Sequence, residues 1–419
     1  MHIPYKSLLK EKNFTYLLMG RLLKRSALIL FSMEIIWLTM ELTNNSPFYV
    51  SMMVIAETLP FLILGIYGGI KADVWNKKTI MVICDAATAI LLITIPFLYS
   101  LGYINYVTLM VLAVGISICN CFAEPSFRAI LPEILSKEKL QEGNALLDSI
   151  QRGASILVPA SIGVVLKLTT QIHLFSLAFL FVLGAGIFHL LITYTPKKTD
   201  VDVPLQKEGT MTDLKLTIKY LRENKDISFI VIVQGLSILI NTGLWRVGLP
   251  IYLETYLESG ISTFGYITGI LGAAAFISSI LLGSFKRINP ILIFNFGIII
   301  WGIGLVSISI VPSIPVIYTA TILIGIGQAC EGLSRIIIIQ DQVPKHMLGK
   351  VFSISSSINY ASDTLSLGFI SAILALVSIA TVFSGGGLLI IVTGVIGAVS
   401  LKERYNKMKN EQLNEERLS

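Results

Sequence analysis

Long apolar stretches, interrupted by glycine, proline or charged residues, repeat along the whole chain. Each is about 20 residues long or longer, which is the length that an α-helix needs to cross the hydrocarbon core of a membrane. One long polar segment divides the stretches into six before it and six after it. We therefore predict twelve membrane-spanning helices, over residues 15–41, 48–70, 79–100, 104–128, 142–167, 172–193, 228–253, 263–284, 290–311, 315–337, 351–376 and 379–401.

The polar segment predicts a linker between two halves of the chain. In its second part Leu214, Ile218 and Leu221 are spaced at helical intervals, which favours a short amphipathic helix along the membrane surface. The predicted organisation is an N-terminal six-helix bundle over 1–193, a cytoplasmic linker over 194–227, a C-terminal six-helix bundle over 228–401 and a cytoplasmic tail over 402–419.

The composition supports a polytopic membrane protein. Hydrophobic residues make up 54% of the 419 positions and charged residues only 14%, whereas soluble domains carry about a quarter charged residues. This excludes a soluble enzyme and a nucleic-acid-binding module, although the net charge is +6. Lysine and arginine are concentrated in alternate loops, so both termini are expected in the cytoplasm of a bacterial cell, with anionic membrane lipid beside the basic loops.

Motifs for enzymatic chemistry are missing from the sequence. It holds no Walker A pattern, no H-E-x-x-H and no G-x-S-x-G, which argues against an ATP-driven pump and a membrane hydrolase. The four cysteines lie in apolar stretches without metal-ligand spacing. We therefore expect no enzyme activity, no cofactor and no metal site.

The two halves repeat one polar motif. Glu124 and Arg128 end the fourth predicted span, and Glu331 and Arg335 end the tenth, so the E-x-x-x-R unit has the same place in each half. The four-residue spacing predicts an ion pair within each helix. Two related six-helix halves predict an all-α fold of two pseudo-symmetric bundles with a substrate site near the bilayer midplane.

The loop between the second and third spans carries a Gly, an Asp four residues further on and then basic residues. This segment, followed by Asp85, resembles the loop signature of major facilitator transporters, and the resemblance implies that Asp73 exchanges charge partners as a cytoplasmic gate opens. In span five, Gly153, Pro159 and Gly163 resemble the antiporter signature of exporters with this fold. The loop residues concerned are Gly69, Asp73, Lys77 and Lys78.

Further segments resemble one branch, the family of the macrolide efflux proteins and the enterobactin exporter. They are Lys12-Asn13-Phe14, Gly20-Arg21-Leu22 and the turn Pro344-x-x-Met347-Leu348-Gly349-Lys350. Arg21, Arg152 and Arg246 are similar to positions of the siderophore exporter rather than of the drug pumps. The resemblance implies alternating-access export by a monomer of this fold.

Arginines inside the spans are candidate substrate ligands, because a charge in the bilayer interior normally faces a cavity or a partner. The alternatives remain open: Arg21, Arg25 and above all Lys24 could extend to the cytoplasmic boundary, and Arg152 could pair with Asp148. Arg246 could pair with Asp363. The predicted substrate-binding set is Arg21, Arg25, Arg152, Arg246 and Trp245.

Glu34, Glu57 and Asp363 are candidates for proton coupling, since a carboxylate in a low-dielectric cavity can gain and lose a proton as access alternates. For Asp85 we expect a structural role near the gate. The excess of intramembrane arginines suits an anionic, multidentate ligand, and the resemblance to the siderophore exporter implies that this ligand is a siderophore exported with proton coupling. Efflux of macrolides or other drugs is the alternative, and a non-transporting sensor or scaffold is a third.

Overall fold

The computed structural model describes residues 8–136, 139–193, 210–284 and 289–418, and within these ranges the chain forms helices and no strand. A 3₁₀ turn, Leu8–Lys10, comes before the first long helix. The helices are α1 Lys12–Thr43, α2 Pro47–Val74, α3 Lys77–Ser100, α4 Tyr106–Ile134, α5 Leu140–Val165, α6 His173–Leu191, α7 Thr210–Glu223, α8 Lys225–Gly243, α9 Leu249–Leu257, α10 Ile261–Ser284, α11 Pro290–Ile310, α12 Ile314–Gln342, α13 Lys345–Leu374 and α14 Ile379–Leu418.

Each of the twelve predicted spans coincides with a long helix, with α8 and α9 together forming the seventh. The fold class predicted from the sequence is therefore confirmed. Several helices begin at an asparagine whose side-chain oxygen accepts a hydrogen bond from an early backbone N–H. Asn76 accepts from the Thr79 N–H, and Asn105 accepts from the Thr108 N–H. In these two loops the last polar residue therefore also caps the start of the next helix.

Nine helices among the described residues are long and apolar enough to cross a membrane, with α8 and α9 counted as one. In α2 the described apolar part is Pro47–Phe61. The helices α5 and α13 are as long as the others but carry more polar residues, such as Asp148 and Arg152 in α5 and Asp363 in α13. Polar residues are therefore concentrated in a few of the spans.

The chain divides into two compact units, Met1–Asp200 with Leu249–Gly269, and Val201–Gly248 with Ile270–Ser419. In the first unit α1 packs on α5 and α6, α3 packs on α4 and α6, and α2 packs on α4. In the second unit α11 packs on α12 and α14, and α13 packs on α8. The domain boundaries predicted from the sequence stay a prediction.

The amphipathic helix predicted in the linker is present as α7. Leu216 and Ile218 are exposed on it. Residues 194–209 of the predicted linker lie outside the described residues, as do the side chains of 210–215, including that of Leu214. That α7 lies along the membrane surface stays a prediction.

The seventh span is interrupted at its centre. Helix α8 ends at Gly243, the next five residues, Leu244–Gly248, form a π-helical turn, and α9 follows without a loop. A π turn holds one residue more than an α turn and is frequent at functional sites. Arg246, the arginine predicted to lie mid-span, occupies this turn.

Candidate functional site

Arg21 is the centre of a polar cluster in the first unit that joins α1, α4 and α5. Its guanidinium donates to both carboxylate oxygens of Glu124, at 2.5 and 2.9 Å, and to the side-chain oxygen of Gln151 at 2.6 Å. Its central carbon lies 4.3 Å from the centre of the Phe127 ring. Arg128 adds the predicted ion pair within α4, 3.2 Å from Glu124. The charge of Arg21 is thus neutralised by a carboxylate.

The second unit has a corresponding cluster between α8, α12 and α13. Gln234 lies nine residues after the first residue of α8, as Arg21 does in α1. When the side-chain amide of Gln234 is oriented with its oxygen towards Arg335, this oxygen accepts hydrogen bonds from Arg335 at 3.1 Å and from Asn359 at 2.6 Å. Arg335 also forms the predicted ion pair with Glu331, at 3.0 Å. Both units therefore connect the E-x-x-x-R helix to its neighbours through a polar residue at one equivalent position.

A second cluster in the first unit is buried more deeply. The Lys24 ammonium lies 2.9 Å from one oxygen of Asp85 and 3.4 Å from the Thr88 hydroxyl. Nδ1 of His189 lies 2.6 Å from the other oxygen of Asp85. The side chains of Lys24, Asp85 and His189 are 6%, 1% and 5% exposed. The prediction that Lys24 extends to the membrane boundary is wrong, because α3 supplies a buried carboxylate for it.

The remaining predicted arginines of the first unit differ in their partners. Arg152 is exposed and lies 2.7 Å from Asp148, four residues earlier in α5, so this pair expected from the spacing is present. Arg25 is exposed, and its guanidinium donates to the Ser155 hydroxyl at 3.3 Å. Among the described residues no carboxylate lies within ion-pair distance of Arg25.

The candidate coupling acids have three different surroundings. Glu34 is 1% exposed, and its Oε2 has no hydrogen-bond partner among the described residues. Glu57 is half-buried, and its backbone carbonyl accepts from Ser117. Asp363 accepts a hydrogen bond of 2.7 Å from Thr242, within the second unit. Glu34 is thus the most deeply buried of the three.

Arg246 is half-buried in the π turn of the second unit, and its neighbour Trp245 is 9% exposed. One residue further, Val247 is fully buried. Arg246 is therefore flanked by two buried residues within the turn. The role of Arg246 and Trp245 in substrate binding stays a prediction.

The loop signature is described in part. Lys77 is buried and lies 2.9 Å from Glu133, near the end of α4. Lys78 is half-buried. The side chains of Gly69 and Asp73 lie outside the described part of the chain, so the exchange of partners expected at Asp73 stays a prediction.

The residues resembling the antiporter signature lie where α5 meets the start of α10, within the first unit. A Cβ at Gly163 would collide with the Tyr266 hydroxyl, and one at Gly265 would collide with the Pro159 carbonyl. Gly153 has open space around it. Small residues thus let the two helices approach closely at Pro159 and Gly163.

The described residues hold no group of three or more histidines, cysteines or acids arranged to bind a metal ion. The family model described as Major Facilitator Superfamily matches residues 25–367 and 233–418 of the chain. The chain belongs to the Major Facilitator Superfamily. Proteins of this family are transporters of small molecules.

Two relatives within the Major Facilitator Superfamily extend over most of the chain. A protein of Bacillus subtilis described as an uncharacterized MFS-type transporter, YfiS, is 21% identical over 373 residues, which cover 86% of each chain. Macrolide efflux protein A of Streptococcus pyogenes is 24% identical over 339 residues, which cover 78% of this chain and 80% of that protein. The protein is therefore a membrane transporter with efflux proteins among its relatives.

Solved structures show the same Major Facilitator Superfamily fold. A bacterial homologue of the iron transporter ferroportin in an inward-facing state gives a TM-score of 0.71 at 14% identity, covering 94% of this chain and 99% of that one. A POT family transporter in complex with a thioalcohol-conjugated peptide gives 0.70 at 14% identity, covering 93% and 96%. At such identities the likeness extends to the fold alone.

The sequence analysis missed His189. It lies in an apolar span, and an ionisable residue inside a span is by default a candidate functional residue. That signal was present in the sequence. Its partners were not, because Lys24, Asp85 and His189 come from three helices that are distant along the chain.

Proposed function

We propose that this protein exports an anionic siderophore from the cytoplasm of a bacterial cell by proton-coupled alternating access. The observation that carries the proposal is Arg25. It is an exposed guanidinium on a membrane-spanning helix, hydrogen-bonded to a neutral hydroxyl and without a carboxylate in ion-pair distance among the described residues. A planar guanidinium with free donors suits a multidentate carboxylate or catecholate ligand.

The surrounding charges support Arg25 as the residue that meets the ligand. Arg21 and Arg152 already hold carboxylates of the protein, Glu124 and Asp148. An anionic ligand would have to displace those acids, whereas Arg25 can bind it without breaking an ion pair. We place Arg246 and Trp245 on the ligand as well, and we assign proton coupling to Glu34, Glu57 or Asp363.

The first experiment deletes the gene and measures siderophore inside and outside iron-starved cells by mass spectrometry. We expect the siderophore to accumulate inside the cells and to fall in the medium. Complementation with Arg25→Ala should restore at most about a tenth of the export rate, because a hydrogen bond to a charged group contributes about 1.5–3 kcal/mol.

The matched controls for this experiment are Arg25→Lys and Arg222→Ala. Arg25→Lys keeps the charge but loses the planar donor pair, so an intermediate rate is expected. Arg222 is an exposed arginine on α7, and its replacement should leave export unchanged. Unchanged secretion after gene deletion would refute siderophore export.

A second candidate, macrolide efflux, is favoured by the similarity to macrolide efflux protein A. A buried acid and an aromatic pair suit a cationic, lipophilic drug: Glu34 is buried, and the rings of Trp37 and Phe264 have centroids 5.1 Å apart. Overexpression should then raise the inhibitory concentration of erythromycin, and Glu34→Gln should abolish that increase. An unchanged drug panel would leave the siderophore as the substrate class.

A further inference from the structure

Three ionisable side chains from three different helices lie together in the interior of the first unit. Asp85 accepts from the Lys24 ammonium at one carboxylate oxygen and contacts His189 Nδ1 at the other, at 2.9 and 2.6 Å. All three side chains are at most 6% exposed. The siderophore and macrolide proposals assign no task to this cluster.

The second ring nitrogen of His189 has a different environment. Nε2 is buried and has no hydrogen-bond partner among the described residues. With Asp85 ionised opposite Lys24, the carboxylate can only accept, so Nδ1 donates and Nε2 carries the free lone pair. A buried nitrogen with an unused lone pair is a place where a proton can bind.

The backbone beside His189 is shaped to fit its ring. A Cβ on Gly20 would collide with the imidazole at Nε2 and Cδ2, so any larger residue at this position would displace the ring. His189 also lines a cavity of about 20 Å³ together with Arg21, Asn120 and Glu124. A cavity of this size could accommodate about one water molecule between His189 and the polar cluster of Arg21 and Glu124.

The charge balance favours proton binding at His189 over a merely structural ion pair. Lys24 and Asp85 neutralise each other without any contribution from the histidine. When a proton binds Nε2, the imidazolium charge is stabilised by the Asp85 oxygen that Nδ1 already contacts. The carboxylate then faces two cations, so proton uptake changes how strongly it holds each of them.

The second half of the chain has no ionisable residues at the positions that correspond to this cluster by distance from the start of each helix. Counting from the first residue of each helix, the positions equivalent to Lys24, Asp85 and His189 in the second half are Ser237 in α8, Ile298 in α11 and Val395 in α14. None of these can ionise. Three ionisable groups buried together at these positions in the first half alone are therefore a specific feature, and ionisable groups inside a membrane are typically functional.

The other titratable groups near the cluster come from the helices packed around it. On α1 and α4 they include two arginines and a carboxylate, and on α3 and α4 two thiols. These groups are Arg21, Arg25, Glu124, Cys84 and Cys119. Because Arg21 is paired with Glu124 and Lys24 with Asp85, a proton bound to His189 adds one positive charge to the residues that line the cavity.

We propose that Asp85 and His189 form a proton-binding site in the first half of the transporter, with Nε2 of His189 as the atom that takes up the proton and Lys24 as the fixed counter-charge. A proton from water adds to the lone pair of Nε2, and the imidazolium stays hydrogen-bonded to Asp85. The site would serve transport as a second proton-binding group, in addition to the carboxylate assigned to coupling, and in that respect it rests on the proposed function.

The test is ¹⁵N NMR of histidine-labelled protein, purified through a tag without histidine and reconstituted in lipid. The chain holds four histidines, His2, His173, His189 and His346. Replacing the other three with glutamine leaves His189 as the sole signal without altering the cluster. We expect the Nδ1–H tautomer at alkaline pH and an imidazolium that is still hydrogen-bonded to Asp85 once the proton is bound.

The tautomer and the titration each decide the proposal. The proposal would be overturned if the His189 ring stayed neutral at every pH tested, or if it stayed an imidazolium at every pH tested. A neutral ring that carries its proton on Nε2 would overturn it as well. Asp85→Asn should move the titration midpoint, whereas Asp148→Asn, which removes an exposed acid of an ion pair, should not. An unchanged midpoint in Asp85→Asn would also overturn the pairing, and should that variant not fold, the wild-type tautomer and titration still decide.

Failure of the export proposal is recognised separately. If siderophore secretion and drug susceptibility are both unchanged while His189 titrates as expected, the substrate assignment is wrong and the proton-binding site stands. If export occurs but His189 stays neutral, export stands and the site is refuted.

Discussion

Breaking the Lys24–Asp85 pair tests whether the buried cluster stabilises the first unit. The variants are Lys24→Met, which keeps the length of the side chain, Asp85→Asn, which keeps its shape, and the double variant. Asp85→Asn leaves the Lys24 ammonium buried without a carboxylate. Apart from the new amide, its described oxygen partner is then the Thr88 hydroxyl at 3.4 Å. Lys24→Met leaves a carboxylate that still accepts from His189.

The structure predicts an order of effects. Removal of one partner of a buried ion pair costs about 3–5 kcal/mol, because the remaining charge is uncompensated. This applies to Asp85→Asn, in which Lys24 and His189 both lose the carboxylate. Lys24→Met loses one charged hydrogen bond, worth about 1.5–3 kcal/mol. The double variant removes both charges and should lie within about 2 kcal/mol of the wild type. Since the two single variants together cost about 4.5–8 kcal/mol and the double variant at most about 2 kcal/mol, the coupling energy between the two positions is at least about 2.5 kcal/mol.

The native cysteines provide the assay. Cys84, Cys121 and Cys330 are buried and Cys119 is half-buried, so a thiol-reactive dye reports their exposure as the detergent-purified protein is heated. We expect Asp85→Asn to lower Tm by on the order of 10 °C. Asp148→Asn is the control, since an exposed pair contributes at most about 1 kcal/mol. Additive effects of the two single variants, each below about 1 kcal/mol, would refute the reasoning.

The remaining predictions concern single positions. Gly20→Ala should lower Tm and shift the ¹⁵N signals of His189, because the added Cβ collides with the His189 ring. Gly153→Ala is the control, since Gly153 has open space around it, and it should change neither quantity. Equal Tm values for the two variants would contradict the geometry. Glu331→Ala should cost about 3–5 kcal/mol, because its ion pair is buried, whereas Asp148→Ala should cost at most about 1 kcal/mol. Equal losses in the dye assay would show that burial does not determine the strength of the two pairs.

The helices could be predicted from the sequence because each is bounded by residues that interrupt an apolar run. The ninth span was predicted over 290–311 and is Pro290–Ile310, after an asparagine cap that precedes the proline. Ion pairs within one helix were equally accessible, since a spacing of four residues fixes the neighbours on a helix face. Glu124–Arg128 and Glu331–Arg335 are present for that reason.

Contacts between helices could not be predicted in the same way. The periodicity of α1 indicates which faces of the helix carry Arg21 and Lys24. It does not indicate that Glu124 of α4 contacts Arg21, or that Asp85 of α3 contacts Lys24. The sequence therefore left a position of Lys24 at the membrane boundary open as an alternative, because burial of a lysine is acceptable only once its partner is known. His189 completes the cluster from a third helix.

The π turn at Leu244–Gly248 has a consequence for insertions and deletions in the seventh span. Each residue of an α-helix turns the chain by about 100°, so deleting one residue from α8 or α9 would rotate every following side chain to another face. A π turn holds one surplus residue, and deleting one residue there would leave a regular α-helix with both flanks in their present orientation. This turn is the position in the span where the length of the chain can change by one residue while the faces of α8 and α9 are preserved.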